Sequence, residues 1–390
     1  MVETADVIVV GAGVQGASLA YHLARQGARV LILERGSIAA GATGRSSGFV
    51  RMHYDLPAEA RLAAASFPYF RDWSERVGSG DCGFVRTGFV QLVPPGQESA
   101  LLANVDMLRG LGIDTWAVAR DELERIVPGI AADRVTAAAY EPGSGYADPS
   151  GTAAGFVGAA REHGARFIQG CLVSAVTVDG ERVSGVTTDR GAFSAPVVVD
   201  VAGAWAPRVA KTVGVAVPVE PWRHDTAFFG LPPGAPAGFP IVLDIDNEVY
   251  FRPEGHELML VGLKSHNEVG GSPDRDFAPI PADIIGLMAA RVCARMPWMV
   301  RGTFRTAHGG QDGITPDQRP IIGPAGPEGF FLDCGFSGTG FKTAPAVGAS
   351  LAELILHGAP VTADISMFGL ERFAQGRPLI GEHPYGALWR

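Results

Sequence analysis

The sequence has few of the residues that mark disulfide-bonded, metal-binding or nucleic-acid-binding proteins. Its four cysteines form no CxxC pair and have no histidine partner nearby, which predicts buried thiols in a reducing compartment and neither a disulfide framework nor a metal site. Lys and Arg total 32 against 41 Asp and Glu, so the net charge is −9. The chain lacks the basic stripe that binds a phosphate backbone, and we expect no nucleic-acid partner.

Long hydrophobic runs are missing as well. No stretch approaches the roughly 20 apolar residues that are needed to span a bilayer. At the amino end, Val7–Val10 is too short for the apolar core of a signal peptide, and Glu3 and Asp6 precede it in place of Lys or Arg. We therefore expect a cytoplasmic protein without a membrane span.

Glycine is the residue that the sequence has in excess. The 390 residues are 47% hydrophobic and 19% charged, which is ordinary for a globular protein and, at about 150 residues per domain, suggests two or three structural units. The 52 glycines make up about 13% of the chain against a usual level of about 7%. Since no collagen period or Gly/Ser linker absorbs them, much of the backbone must turn tightly or approach something closely.

The first forty residues read as a dinucleotide-binding unit. A β-branched strand at 6–10 is followed by the turn Gly11-Ala-Gly13-Val-Gln-Gly16, by a helical pattern that stops at Gly27, and by a second strand that ends at Glu34. A GxGxxG motif alone is a weak signal. Here it lies between strand and helix, with an acid 18 residues past its last glycine, and that context predicts a bound dinucleotide.

Each glycine of this motif has a separate expected task. Gly11 allows the sharp turn from strand to helix, Gly13 lets a pyrophosphate reach the backbone, and Gly16 lets the helix pack on the strand. The helix amino terminus then offers N–H groups to the phosphates. We expect Glu34 to accept hydrogen bonds from the adenosine ribose and to repel a 2′-phosphate.

A second glycine-rich turn favours FAD over NAD. After Glu34 the chain continues into a long Gly, Ser and Ala loop from Arg35 to Arg51, which suits the wrapping of an extended ligand. Near the other end, the turn 335–342 (GFSGTGFK) follows a strand-like segment at 329–333 and opens a helical stretch at 344–356. Two such turns near opposite chain ends predict one long cofactor that both of them touch.

The order and spacing of six motifs carry a family resemblance. They are GAGVQG with Glu34 and Arg35, GATGRSSG at 41–48, YADPSG at 146–151, VVVDVAGAW at 197–205, TPDQRPIIG at 315–323 and GFSGTGFK. Together they resemble the glycine oxidase and sarcosine oxidase branch of the D-amino-acid-oxidase superfamily of flavoproteins, in particular monomeric sarcosine oxidase and the sarcosine oxidase β subunit.

The resemblance implies an α/β fold of discontinuous construction. A Rossmann-like FAD-binding domain of the GR2 type would be assembled from 1–80, 150–215 and 305–390, and an antiparallel-sheet α+β substrate domain from 81–149 and 216–304. The residues agree with this layout, because four strand-like runs between 218 and 261 alternate with Pro and Gly turns, as in an antiparallel sheet.

The same resemblance implies which residues contact the cofactor. It predicts FAD binding by residues of both glycine-rich turns, by Glu34, by residues of the wrapping loop and by five residues in between. These residues are Gly11, Ala12, Gly13, Val14, Gln15, Gly16, Glu34, Arg35, Gly41, Ala42, Thr43, Arg45, Ser46, Ser47, Gly48, Val173, Ala202, Gly203, Trp205, Gly310, Gly335, Phe336, Gly338, Thr339, Gly340, Phe341 and Lys342.

Four side chains match substrate-site or catalytic residues of the sarcosine oxidases. Arg51 and Lys342 match positions that bind the substrate carboxylate; a solvated Arg and a Lys that caps a phosphate are the alternatives. Lys264, the one cation at the end of an apolar strand, matches the lysine that activates dioxygen above the flavin, and a strand-end lysine that reaches solvent is the alternative. Tyr250 matches an aromatic residue of the substrate pocket, or else is a plain core tyrosine.

Two departures from the monomeric sarcosine oxidases limit the resemblance. Those enzymes attach FAD through a cysteine, whereas the corresponding segment here, residues 309–312, reads GGQD; we therefore predict noncovalent FAD. Gly48 stands where the monomeric enzymes have a second arginine. In this respect the chain resembles the β subunits of heterotetrameric sarcosine oxidases. This difference leaves the substrate and the electron acceptor open.

The resulting functional prediction is an FAD-dependent oxidase of a secondary or N-methyl amino acid such as sarcosine. Hydride transfer to flavin N5 would give an imine that water hydrolyses, and dioxygen would reoxidise the flavin to give hydrogen peroxide. The alternatives are a dehydrogenase that passes electrons to a quinone or protein partner, a glycine or D-amino-acid oxidase, and a flavin-binding module without turnover. The expected partners are a small amino acid or amine and an electron acceptor, with the oligomeric state left open.

Overall fold

In the computed structural model, which describes residues 3–275 and 279–385, the strands form sheets of three, four, six and eight strands. The strands are β1 (Glu3–Thr4), β2 (Val7–Val10), β3 (Val30–Glu34), β4 (Phe49–Val50), β5 (Val85–Arg86), β6 (Phe89–Val93), β7 (Trp116–Val118), β8 (Ala137–Glu141), β9 (Gly145–Tyr146), β10 (Arg166–Gln169), β11 (Val173–Asp179), β12 (Arg182–Thr188), β13 (Gly191–Ser194), β14 (Val197–Asp200), β15 (Glu220–Gly230), β16 (Ile241–Asp244), β17 (Val249–Glu254), β18 (Leu258–Leu263), β19 (Thr303–Ile314), β20 (Ile321–Pro324) and β21 (Phe330–Cys334).

The helices alternate with these strands. They are α1 (Val14–Arg25), α2 (Pro57–Arg71), α3 (Trp73–Arg76), α4 (Glu98–Gly110), α5 (Arg120–Ile126), α6 (Pro149–Glu162), α7 (Ala206–Lys211), α8 (Ala282–Arg295), α9 (Gly340–His357) and α10 (Glu371–Ala374). Among residues 3–275 and 279–385, no helix combines the length and the apolar character that crossing a membrane requires.

The six-stranded sheet has the order β10-β3-β2-β14-β21-β20 and is parallel apart from the β20–β21 pair. Its strands are short β-branched runs such as VIVV in β2 and VVVD in β14, and nearly every residue of these two is buried. Continuous apolar strands of this kind indicate a sheet that is covered on both faces. Helices α1 and α9 pack against each other on one face, so both glycine-rich turns open at the carboxyl edge of the sheet.

The eight-stranded sheet has the order β19-β15-β18-β17-β16-β6-β8-β7. It is antiparallel, as the sequence predicts, except for the parallel pair of β6 and β16. One face is covered by α8, whose Met288 and Val292 are buried against Val261 and Phe251. The other face carries the aromatic side chain of Tyr250, which packs in a separate cluster.

The predicted domain segments stay a prediction, although the strands follow them closely. The six-stranded sheet draws only on 1–80, 150–215 and 305–390, and the eight-stranded sheet draws on 81–149 and 216–304. The exception is β19, which begins at Thr303 and continues to Ile314. Residues 1, 2, 276–278 and 386–390 of these segments lie outside the described part of the chain.

Candidate active site

A cavity of about 610 Å³ lies at the carboxyl edge of the six-stranded sheet, where it meets the eight-stranded sheet. This is the place at which open α/β sheets bind their ligands, and the volume is within the usual 300–1,000 Å³ of ligand pockets. Both glycine-rich turns and the loop between 35 and 51 line it. All the predicted cofactor residues line the cavity except four, which are Ala12, Gly16, Gly48 and Thr339.

The first glycine-rich turn has the geometry that its residue types predict. Gly11 has a φ of +115°, and a Cβ there would lie 2.6 Å from the carbonyl oxygen of Val201. A Cβ on Gly16 would overlap the carbonyl of Gly11, which explains why Gly16 packs helix on strand and does not reach the cavity. Gly13 faces the cavity with an ordinary φ, so the space beside it is available to a ligand.

Glu34 is tied to this turn through its carboxylate. One oxygen accepts a hydrogen bond from the backbone N–H of Ala12 at 2.8 Å and the other from that of Gly36 at 2.7 Å. Thr43 on the wrapping loop accepts from the N–H of Val14 at 3.0 Å. The turn, the acid and the loop therefore form one preorganised cradle, and Ala12 acts through Glu34 without lining the cavity.

An exposed ion-pair cluster stands at the Glu34 end of the cavity. The Arg35 guanidinium lies 3.9 Å from the centre of a Trp205 ring. Asp274 accepts hydrogen bonds from Trp205 Nε1 at 2.7 Å, from Arg208 at 2.5 Å and from Arg35 at 3.3 Å. The bond from Arg208, followed by that from Trp205, lowers the pKa of Asp274 to about 2. Asp274 was not predicted, because the β18–α8 connection that carries it has no motif.

The wrapping loop is held by backbone contacts on its far side. Arg45 donates to the carbonyl of Gly309 at 2.8 Å, and a Cβ on Gly310 would lie 2.6 Å from that of Arg45. Gly48 has a φ of +70°, and a Cβ there would overlap the carbonyl of Ala147. The backbone at position 48 therefore requires glycine whether or not a ligand is bound.

Arg51 occupies the buried end of the same cavity and is only 3% exposed. One Nη donates to the carbonyl of His53, and the guanidinium lies 4.6 Å from the Tyr54 ring centre and 5.3 Å from that of Phe89. Its Nε has no hydrogen-bond partner among the described residues. A charged donor held rigidly in this way is well placed to bind an anion.

Lys342 lines the cavity together with Arg51, and its predicted role in carboxylate binding stays a prediction. Its Nζ donates to the carbonyl of Gly338 at 3.2 Å. Burial, together with the charge of Arg51, lowers the pKa of Lys342 well below its usual value, while Asp312 opposes the shift. Asp312 also lines the cavity and accepts from the N–H of Gly338 at 2.6 Å.

Tyr250 and Lys264 come from neighbouring strands and differ in position. The Tyr250 ring is buried, lines the cavity and lies above Gly262, where any Cβ would overlap it. Lys264 follows β18, does not line the cavity and is 7% exposed, with an Nζ that has no partner among the described residues. Burial, together with the charge of Arg51, lowers its pKa to about 8, while the charges of Glu248 and Asp244 oppose the shift.

Several lining residues were not predicted from the sequence. They come from strand ends and loops that carry no recognisable motif, and they include Cys171, Leu172, Ser174, Arg208, Leu243, Gln311, Asp312, Asp333 and Cys334. One of them carried a usable signal. Asp333 is an acid in the otherwise apolar strand β21, FFLDC, which is unusual unless the acid meets a ligand or a hydrogen-bond donor.

The residues present fit FAD. The cavity runs from the Glu34 cradle to Arg51 and Lys342, and both predicted turns line it. Several buried polar atoms on its wall have no partner among the described residues, including the Gln15 and Gln311 side-chain oxygens and both oxygens of Asp333. Within residues 3–275 and 279–385, no group of three or more His, Cys, Asp or Glu side chains is placed to hold a metal ion.

Comparison with known proteins agrees with this geometry. The chain is 29% identical over 385 residues to mitochondrial sarcosine dehydrogenase of Mus musculus, matching 95% of this chain and 42% of that protein. It is 30% identical to FAD-dependent oxidoreductase domain-containing protein 1 of Bos taurus, matching 96% of this chain and 86% of the relative. The chain therefore spans less than half the length of the sarcosine dehydrogenase.

A solved structure is similar over nearly the whole fold. The crystal structure of L-proline dehydrogenase from P. horikoshii superposes with a TM-score of 0.89 at 26% identity, covering 97% of this chain and 100% of that one. The family model described as FAD dependent oxidoreductase, DAO, matches residues 6–354. The predicted resemblance, the α/β Rossmann-like fold and the FAD cofactor are thus confirmed, and the chain belongs to the DAO family of FAD-dependent oxidoreductases.

Proposed function

We propose that this chain oxidises a secondary or N-methyl amino acid, with sarcosine as the default substrate, and passes the electrons to dioxygen to give hydrogen peroxide. The observation that supports this most directly is the pair of buried cationic side chains, Arg51 and Lys342, on the cavity that both glycine-rich turns line. Two of the proteins named above as similar act by their names on sarcosine and on L-proline, which are both secondary amino acids.

The substrate carboxylate would bind between Arg51 and Lys342. The Nε of Arg51 has no partner among the described residues, and a carboxylate would satisfy it by a charge-assisted bond. A carboxylate there would also favour the protonated form of Lys342, whose pKa is otherwise lowered by burial and by Arg51. Substrate binding should therefore raise the pKa of Lys342.

The amine end of the substrate would face the Tyr250 side of the cavity. Burial raises the pKa of Tyr250 above its ordinary value, so its hydroxyl stays neutral and offers a hydrogen bond without a charge. The cations nearby disfavour a protonated amine, and the substrate would bind with its nitrogen lone pair free. When bound, FAD would supply the acceptor for the hydride of the substrate C–H bond, which carries both electrons of the oxidation.

Lys264 would act in the second half of the reaction. Its Nζ is buried, has no partner among the described residues and has a pKa of about 8, so it carries a proton near neutral pH. A fixed ammonium of this kind stabilises the negative charge that develops when dioxygen takes up electrons. For sarcosine the balance is sarcosine, water and dioxygen on one side, and glycine, formaldehyde and hydrogen peroxide on the other.

The test is a bleaching screen on the purified flavoprotein. Anaerobic addition of sarcosine, dimethylglycine, proline, glycine and D-amino acids should bleach the flavin absorption with one of the secondary amines, and peroxide should appear in air. If none of these compounds bleaches the flavin, the proposal is wrong. Bleaching by glycine or a D-amino acid alone would replace the substrate class and keep the Arg51 and Lys342 site.

A dehydrogenase is the second candidate. The similar proteins named sarcosine dehydrogenase and L-proline dehydrogenase favour it. Bleaching without peroxide, together with turnover on a quinone analogue or an artificial dye, would establish it.

We also propose that FAD is held noncovalently, because residues 309–312 (GGQD) offer no cysteine. Denaturation should then release all flavin into the protein-free supernatant.

A further inference from the structure

Asp333 is a buried acid that the proposed reaction does not use. It is 1% exposed and lines the cavity, and neither carboxyl oxygen has a hydrogen-bond partner among the described residues. Glu34, on the same cavity, shows the contrast, because both of its oxygens accept backbone N–H groups. A buried polar group without a partner is costly, so a ligand in the cavity is expected to supply one.

The place of Asp333 in the sheet points to the dinucleotide. It belongs to β21, immediately before the glycine-rich turn that starts at Gly335, and β21 pairs in parallel with β14 so that Leu332 lies opposite Asp200. Asp333 therefore stands at the carboxyl edge of the central strands, where α/β sheets of this type hold the pyrophosphate and the chain next to it.

The charges around Asp333 favour its neutral form. The principal elements packed against β21 are β14, β20 and the 3-10 turn Gly203–Trp205, and Asp200 is the ionisable residue that they contribute. Cys334, next along the strand, is the other ionisable neighbour. No described cation pairs with Asp333, and burial raises the pKa of Asp333 and that of Asp200 to about 8.

We propose that Asp333 binds FAD as a neutral acid, donating its O–H to a phosphate or ribityl oxygen of the cofactor. An ionised Asp333 would instead repel the two negative charges of the pyrophosphate. When FAD binds to a molecule in which Asp333 is ionised, one proton is therefore taken up from the solvent. This inference concerns cofactor binding and holds whichever substrate the enzyme oxidises.

The experiment measures FAD binding to flavin-free protein as a function of pH. Quenching of flavin fluorescence should give a dissociation constant that rises about tenfold from pH 7 to pH 9, because only the protonated fraction of Asp333 binds well. In Asp333→Asn, whose amide still donates, the constant at pH 7 should be within about threefold of the wild type and should change less than about twofold with pH. Calorimetry in two buffers at pH 9 should show uptake of close to one proton by the wild type and little by this variant.

Asp200→Asn is the matched control, because Asp200 has the same raised pKa but does not line the cavity. It should keep the tenfold pH dependence. Two results would overturn the proposal: an Asp333→Asn variant whose pH dependence equals that of the wild type, or one that folds normally by circular dichroism and binds FAD more than tenfold more weakly at pH 7. The second result would mean that Asp333 acts as an ionised acceptor.

Discussion

The two ends of the cavity are built in opposite ways. At the Glu34 end, the acid is satisfied by backbone N–H groups, and the cluster around Asp274 is about half exposed. At the Arg51 end, Arg51 and Lys342 line the cavity and are at most 6% exposed, and Lys264, which does not line it, is 7% exposed. Arg51 Nε and Lys264 Nζ lack hydrogen-bond partners among the described residues. The Glu34 end is a rigid backbone cradle whose hydrogen bonds are satisfied without a ligand. The Arg51 end has buried, charged donor atoms that a ligand would satisfy.

The largest effect is expected from a substitution in the backbone cradle at the Glu34 end. Gly11→Ala would force a Cβ to 2.6 Å from the Val201 carbonyl at a φ of +115°, a strain of about 1–3 kcal/mol before any clash is counted. We expect the purified variant to have lost most of its flavin, with FAD affinity lowered about a hundredfold. The measurement is the ratio of flavin to protein absorbance.

Gly286→Ala in α8 is the control for this change. Its Cβ would meet nothing within 4 Å, and its φ is not positive, so alanine should be neutral or slightly stabilising in the helix. Full flavin content in Gly11→Ala would show that the turn tolerates a side chain and that the backbone cradle is not rigid.

Arg51→Ala tests whether the buried guanidinium at the other end of the cavity binds the substrate carboxylate. A buried charge-assisted bond is worth about 1.5–3 kcal/mol, so the substrate dissociation constant from anaerobic flavin titration should rise about tenfold to a hundredfold. FAD content should stay high, because the Glu34 end is untouched. Arg61→Ala, at an exposed position of α2, is the control, and equal affinity in Arg51→Ala would place the carboxylate elsewhere.

Lys264→Met tests how much the buried charge of Lys264 lowers the free energy of unfolding. Since the pKa of Lys264 is about 8 when folded and about 10.4 when unfolded, the unfolded chain binds more protons between these pH values, and the free energy of unfolding should rise with pH there. Below pH 8 the penalty is fully present, so Lys264→Met should raise the free energy of unfolding at pH 7 by about 1–3 kcal/mol.

The same variant should slow flavin reoxidation by dioxygen more than flavin reduction, as stopped-flow absorbance would measure. Lys211→Met, at an exposed position, is the control and should change stability by less than about 0.5 kcal/mol. A stability loss in Lys264→Met would mean that the charge is paired, and unchanged oxygen reactivity would remove Lys264 from the reaction.

The smallest effect is expected at the exposed cluster. Asp274→Asn removes a charge that Arg208 and Arg35 share, but exposed ion pairs contribute only about 0.2–1 kcal/mol. FAD dissociation, followed by flavin fluorescence, should therefore accelerate by no more than about fivefold, and the difference should vanish in high salt. A loss as large as that of Gly11→Ala would show that this end depends on side-chain charge after all.

At both ends of the cavity the sequence predicted residues that belong to recognisable motifs and missed residues that do not. The turn at Gly11, the strands around it and the acid Glu34 are near neighbours in the chain, so local spacing contains their geometry. Asp312 and Asp333 were missed because their meaning depends on which strands pair, and Asp274 was missed because its partners lie 66 and 239 residues away.

One signal at the charged end was present and unused. The chain has only three lysines among its 32 basic residues, and two of them, Lys264 and Lys342, are buried at or near the cavity. A chain that uses arginine almost everywhere on its surface keeps lysine where a cation with an adjustable pKa is required. The scarcity of lysine could have singled out both positions.

The sequence by itself determined the strand-turn-helix cradle, the second glycine-rich turn and the family, because each depends on residue types at short spacing. Only the tertiary structure decided that Gly48 serves the backbone, that Lys264 stands outside the cavity lining, and that Asp333 faces the cavity without a partner. The physical reason is that burial and charge act through space. A side chain's pKa and its free hydrogen-bonding atoms are set by neighbours that the chain brings from hundreds of residues away.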